Sequence, residues 1–307
     1  MNLDDYLKEL SDLSIPLKAS GLIRLSGLMG GEERQVGGAW EQTEVQRRRQ
    51  IVQALIDLEE DNVELNFDAV FFRGLEDGDA EVRLQSIRGL WEHEAPDLIA
   101  PLLQLLTSDA SPLVRAEAAL ALGRYVALWE AGRLRDRYFR NVESGLRAAW
   151  MKRGEIEEVR SRVLEAIGAH HDEWVRQAAN EAYESGSRRL KVSAIQAMGR
   201  SCDPRWMPLV LRELSNDEAE VRYEAAVACG SLGDKGVVAG LVPLLSDSDA
   251  EVRHAAVLAL GEIGSLQARD ALTELAAGGP EDMRDAAKDA LASIQFEEDP
   301  LSVRYSV

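Results

Sequence analysis

The sequence is poor in cysteine, histidine and aromatic rings, with two Cys, four His and 6% Phe, Trp and Tyr in 307 residues. Two thiols, Cys202 and Cys229, cannot form a disulfide framework. Both are expected to be small buried side chains in a reducing compartment, which makes the expected location cytoplasmic. No stretch approaches the roughly 18 apolar residues needed to span a bilayer. The opening Met1-Asn2-Leu3-Asp4-Asp5-Tyr6 lacks the basic and apolar regions of a signal peptide. Positive charge is also short: the net charge is −19. That disfavours phosphate backbones and anionic lipid, so neither a nucleic acid nor a membrane is expected as partner.

β-Branched runs are sparse, while Ala, Leu, Glu and Arg are abundant. The composition favours an all-α chain. Within it one unit recurs. Asn216-Asp-Glu-Ala-Glu-Val-Arg222 is followed by an Ala-rich run to Gly230, and Asp247-Ser-Asp-Ala-Glu-Val-Arg253 by one to Gly261. The spacing of 31 residues extends to Arg160, Lys191 and Arg284, and to Gly168, Gly199 and Ala292. A fixed period of this size is the signature of stacked helical repeats. In the N-terminal half the motif persists at Arg83 and Arg115, and in degenerate form at Arg48. Arg115 and Arg160 lie 45 apart, which places an insertion at 124–153.

Each unit reads as a helix pair, A then B. Helix B starts near Asp79, Ser111, Ser187 or Asp249, side chains suited to N-capping. Its core stripe is of the type Val252, Ala256, Ala259, Leu260; runs such as Leu102–Leu106 and Leu241–Leu245 supply helix A. Ala292 in place of the recurrent glycine implies that the site needs a small side chain, against which a neighbouring helix packs closely, and not a positive φ. Trp91 at the equivalent place predicts altered packing in that unit. Residues 1–45 do not follow the repeat and are expected to form an irregular helical cap, with a polar loop bracketed by Gly30-Gly31 and Gly37-Gly38. No Gly-Lys-Ser/Thr follows these glycines, so they are not a phosphate loop. The repeats occupy 46–294, with a tail at 295–307.

The pattern Asp-x5-Arg at Asp77/Arg83, Asp109/Arg115 and Asp247/Arg253, with its Ala-rich, Leu-Gly ends, resembles HEAT repeats of the phycobilisome-lyase-like class. The resemblance implies a single right-handed α-solenoid of about seven helix pairs over roughly 77–294. It also implies an Asp–Arg ladder between neighbouring repeats, built here from Asp77, Arg83, Asp109, Arg115, Arg160, Lys191, Arg222, Asp247 and Arg253. The ladder is expected to be incomplete, because Gly154, Ser185, Asn216 and Gly278 occupy acidic places.

Proteins of this class include bilin lyase subunits, a di-iron hydroxylase, DNA-base glycosylases and scaffolds, so the fold does not choose an activity. The hydroxylase reading needs His-Glu after several repeat arginines; none of Leu84-Gln85, Ala116-Glu117, Ser161-Arg162, Val192-Ser193, Tyr223-Glu224, His254-Ala255 or Asp285-Ala286 is that pair. Adjacent residues such as His170-His171-Asp172 on one helix cannot converge on one metal. No nucleophile elbow, Walker loop, GxGxxG or Cys/His pair is present. No catalytic residue, metal or cofactor is therefore expected.

The expected function is non-enzymatic binding of another protein; the alternative is a lyase or chaperone subunit acting on a tetrapyrrole-carrying protein. The B helices line the concave face of such a solenoid. Facing away from the core stripe are Gln85, Arg88 and Glu92; Glu117, Leu120 and Arg124; Arg162, Glu165 and Ala169; Ser193, Gln196 and Arg200; and Glu224, Val227 and Ser231. Arg88, Arg124, Arg162 and Arg200 are candidate contacts, edged by Tyr223 and His254. The insertion adds Arg133, Arg137 and Arg140 as candidates for an acidic partner. Leu134, Tyr138, Val142 and Leu146 predict one long helix with an apolar stripe there. Its basic side is then a solvated helix face, an internal ion-pairing patch for the acidic segment 57–81, or a docking surface.

Overall fold

The structure is a computed structural model and describes residues 3–298; the last nine residues of the expected tail lie outside it. Its regular elements are helices, and they fall into two compact units that divide between Ala166 and Ile167. Among the described residues no helix is long and apolar enough to cross a membrane.

The first unit opens with α1 (Leu3–Ser11), α2 (Ala19–Leu22) and α3 (Gly31–Gln42). The expected loop around Gly37-Gly38 is instead the body of α3. Val36 and Trp40, four apart, bury one face of it, and Trp40 Nε1 donates to Asp77 Oδ2 at 2.7 Å. That tertiary anchor offsets the helix-weakening effect of two glycines. Next come α4 (Val45–Asp61), α5 (Asp68–Gly74), α6 (Ala80–Gly89), α7 (Ile99–Ser108), α8 (Pro112–Glu130), α9 (Asp136–Met151) and α10 (Glu157–Ile167). The B helices α4, α6 and α8 pack in sequence, and α7 packs with α8 and α9.

The second unit holds α11 (Glu173–Glu184), α12 (Arg188–Arg200), α13 (Met207–Glu213), α14 (Ala219–Leu232), α15 (Val238–Leu241), α16 (Ala250–Ile263), α17 (Leu266–Gly278) and α18 (Glu281–Glu298). Its B helices stack as α12, α14, α16 and α18. Both units are α-solenoid segments of helix pairs. The A run at 241–245 is a short α15 followed by a 3₁₀ turn, Val242–Ser246, and not one α-helix. Pro243 has no N–H to close an α-helical bond, so the chain tightens there.

Caps follow local chemistry. Asp79, Ser187 and Asp249 accept from the N–H of Val82, Leu190 and Val252. Ser111 precedes α8 but its side chain makes no cap bond; Pro112 already fills the first turn. The recurrent glycines mark close helix approach. A Cβ at Gly123 would lie 3.0 Å from Ala166 Cα, at Gly199 2.7 Å from Ala228 Cα, and at Gly230 3.0 Å from Ala259 Cα. At Gly261 the nearest atom would be Ala290 Cβ at 3.2 Å. Each partner alanine sits two residues before the next small residue of the series, so at these four contacts the B helices meet along small side chains. Trp91 lies beyond the end of α6, and Gly89 packs on the Phe71 ring instead.

Of the two cysteines, Cys229 is buried, which pushes its thiol up to about 12. Cys202 is exposed, against expectation. It sits just past the end of α12 in the left-handed region, φ 49°, where the chain reverses toward helix A of the next unit.

Candidate functional site

The face that could carry a site is held by a row of ion pairs. Arg83 Nε and Nη2 donate to Asp109 of the next unit at 2.7 and 2.8 Å, while Nη1 donates to the Asp77 carbonyl of its own unit at 2.7 Å. Arg222 repeats this with Asp247 at 2.7 Å and with the Asn216 carbonyl at 2.8 Å. Arg48 lies 2.7 Å from Asp77, which also accepts from the Trp40 indole. Each pair ties one repeat to the next, and the backbone carbonyl takes the third donor of the fork.

Where the acid is missing, the structure finds substitutes. Arg115 reaches Glu155 at 2.6 Å, one residue beyond the vacant Gly154. Lys191 lies 3.6 Å from Glu213, which comes from the end of α13 and also pairs with Tyr183, Arg212 and Asn216. Arg160 donates to the Lys152 carbonyl and lies over the Trp150 ring. Arg253 donates to the Asp247 and Ser248 carbonyls. Sequence spacing missed Glu155 and Glu213 because they lie off register; a search for acids within a turn of the vacant place would have found them.

The open side of α4, α6 and α8 forms a groove of about 650 Å³. Trp91 and Leu120 project into it, 57% and 39% exposed, beside Ile56 and Ala121. Gln53, Gln85, Arg88 and Glu117 supply its polar edges. Of the candidates here, Arg88 pairs with Glu117 at 3.0 Å. Arg124 turns back and donates to the Leu90 and His93 carbonyls, both at 2.7 Å. Its guanidinium closes the C-terminal end of α6, leaving Arg88 as the more available cation. Arg162, on α10, pairs with Glu165 and Glu158. Trp91 and Ile56 were not among the expected contacts, because neither occupies the second, fifth or ninth place after a repeat arginine.

In the second unit the equivalent face of α14 and α16 carries Val227, 37% exposed, and Leu258, 63% exposed. Leu258, the fifth residue after Arg253, was not among the expected contacts. Tyr223 and His254 are half-buried at its edge, with His254 Nδ1 2.9 Å from the Ala250 carbonyl. Arg200 is exposed at the end of α12, while Ser193, expected on the open face, is buried.

A second cavity, about 310 Å³, is lined by Glu59, Asp68, Glu92, His93 and Glu94. Burial lifts Glu59 to about 7. The His93 ring nitrogens lie 2.8 Å from Asp68 and 2.8 Å from Asp97, an arrangement in which only the doubly protonated ring donates to both. Burial pulls the His93 pKa down, but the bonds to Asp97 and Asp68 outweigh it and hold the pKa above its ordinary value. A raised cationic pKa gives stability that is full below the unfolded value and lost as pH rises through the folded one. Residues 90–95 are therefore expected to exchange amide hydrogens more readily at pH 9 than at pH 6, beyond the intrinsic rate change. His93→Gln should abolish that difference. An unchanged pH dependence in the variant would rule out His93 as its source.

The insertion is two helices, not one: α8 runs on to Glu130, and α9 starts at Asp136. Leu134 precedes α9 but is buried, and the apolar face is Phe139, Val142, Leu146, Ala149 and Trp150, with Tyr138 only half-buried. The break falls at Gly132, whose φ of 71° a helix cannot continue through. Arg133 pairs with Glu94, and Arg137 lies over the Tyr138 ring. The acidic segment 57–81 is served by Arg48, Arg49 and Arg73.

The family model described as HEAT repeats matches residues 69–136 and 207–292, together half of the chain. Among curated proteins none matches the sequence. The complex of CpcE and CpcF of phycocyanin lyase from Nostoc sp. PCC7120 is similar in structure, with a TM-score of 0.51 and 18% identity over 74% of this chain and 94% of that one. Escherichia coli YibA gives 0.48 at 18% identity, over 78% of this chain and 96% of that one. Human deoxyhypusine hydroxylase gives 0.32 at 19%, over 96% of each chain. At 18% identity the likeness to the CpcE–CpcF complex is one of fold.

Proposed function

Since the chain belongs to the HEAT repeats, we propose that it is a non-enzymatic scaffold that binds another protein through the open face of its B helices. The observation that carries this is the groove on α4, α6 and α8, where Trp91 and Leu120 are exposed within a framework fixed by buried ion pairs. An exposed Trp in a concave, polar-edged site has the character of an interface anchor. A double change, Trp91→Ala with Leu120→Arg, is expected to leave the melting temperature nearly unchanged. It should weaken the partner captured from source cells by about 30-fold, the loss of one hot spot. Retention of that partner by the variant would exclude the groove as the binding face.

The fold likeness to CpcE–CpcF favours a second reading, a lyase or chaperone subunit that acts on a tetrapyrrole-carrying protein. A visible absorbance band from co-purifying or added bilin supports that reading, and its absence supports the first.

A further inference from the structure

We propose that the outward face of α9 docks an acidic segment of a partner protein, an inference that rests on the scaffold reading but uses a different surface. Phe139, Val142, Leu146, Ala149 and Trp150 are buried on the inner side, so the opposite face is fixed toward solvent. That face presents Arg137, Arg140, Ser144 and Arg147, all exposed, and ends at Met151, 69% exposed. It is about 21 Å long, fourteen steps of helical rise.

Two of its arginines, Arg137 and Arg140, keep their charge available. Arg137 sits over the Tyr138 ring at 4.5 Å and donates to its hydroxyl at 2.7 Å. Among the described residues neither Arg137 nor Arg140 forms an ion pair. Asp136, next to Arg137 on the helix, accepts from the Trp129 indole at 2.9 Å. Residues 124–153 hold eight basic and three acidic side chains, a local +5 in a chain of −19, which leaves −24 for the remainder.

That contrast selects the partner. Arginines on a rigid helix steer and fork onto carboxylates. A nucleic-acid strand longer than the face would run into the acidic remainder, whereas a short acidic peptide need not. Met151 adds an apolar contact at one end, of the adaptable kind suited to a peptide.

The test uses the full chain and a fluorescein-labelled deca-glutamate peptide as probe, read by anisotropy. Binding is expected at low salt and should weaken as salt is added. Arg137→Glu with Arg140→Glu should lower the affinity about tenfold or more, with the melting temperature unchanged. Arg137→Lys with Arg140→Lys, which keeps the charge and the fold, should retain most of it. The groove variant at Trp91 and Leu120 should bind the probe normally. Absence of probe binding, or binding that survives charge reversal, overturns the inference. So does tighter binding of an oligothymidine that is lost in the same variant. If α9 fails these tests while the groove variant still loses its captured partner, the scaffold reading stands without this surface.

Discussion

Replacing Glu155 by Ala is expected to cost about 3–5 kcal/mol of stability, the range for breaking a buried pair on one side. The Glu155 side chain is 1% exposed and Arg115 is 13% exposed. The carboxylate accepts from Arg115 at 2.6 and 3.2 Å and from the Ile156 N–H at 3.1 Å, and Lys152 lies 3.0 Å away. Alanine would leave the Arg115 guanidinium without its anion in a nearly dry site. Burial by itself raises the Glu155 pKa, but the bonds from Arg115 and Lys152 outweigh it and bring the carboxyl down to about 2. A depressed carboxylate contributes stability that is present above the unfolded value and lost as pH falls through the folded one. Urea denaturation at pH 7 and pH 3 should show a large gap between wild type and Glu155→Ala at pH 7 that narrows at pH 3. A double-mutant cycle with Arg115→Ala should recover most of the coupling. Equal stability of variant and wild type at pH 7 would mean that the pair contributes nothing.

Gly199→Ala is expected to destabilise by about 1–3 kcal/mol, the cost of overpacking, although alanine in a helix is ordinarily better than glycine by ~1 kcal/mol. The added Cβ would stand 2.7 Å from Ala228 Cα and 2.8 Å from its Cβ. The first is backbone and cannot swing aside, so α12 and α14 must separate. Gly37→Ala and Gly38→Ala make the contrast. Both lie inside α3 with nothing within 4 Å of the new Cβ, so each should stabilise by about 0.5–1 kcal/mol. Gly261→Ala should fall between, its nearest contact being Ala290 Cβ at 3.2 Å. Thermal melts of the four variants would order them. A Gly199→Ala protein as stable as Gly37→Ala would remove close approach as the reason for the recurrent glycine.

The two variants probe different kinds of information. The small residue every 31 positions was legible because a helix contact that excludes a Cβ acts on one residue at a time, and repetition exposes it. The ladder was only half legible. An arginine fork on a flexible stem needs a carboxylate in reach, not in register, so Glu155 and Glu213 could take places that Gly154 and Asn216 leave vacant. The cap region misled for a related reason: glycine pairs signal a loop locally, and only burial of Val36 and Trp40, with the Trp40 bond to Asp77, made α3 a helix.

The candidate surfaces divide in the same way. The all-α repeat class and the excess of arginine in 124–153 were legible from the order of the residues, because periodicity and charge are properties of the chain in order. Which arginines remain available depends on how the helices pack. Arg124 was a surface candidate until its guanidinium turned onto the Leu90 and His93 carbonyls, whereas Arg88, paired with Glu117, stays half exposed. Trp91 became a groove residue because α6 ends at Gly89 and leaves it exposed. Partners some 30 residues apart meet only when repeats stack, and that contact, absent from any local pattern, sets which polar side chains are spent inside the fold and which face outward.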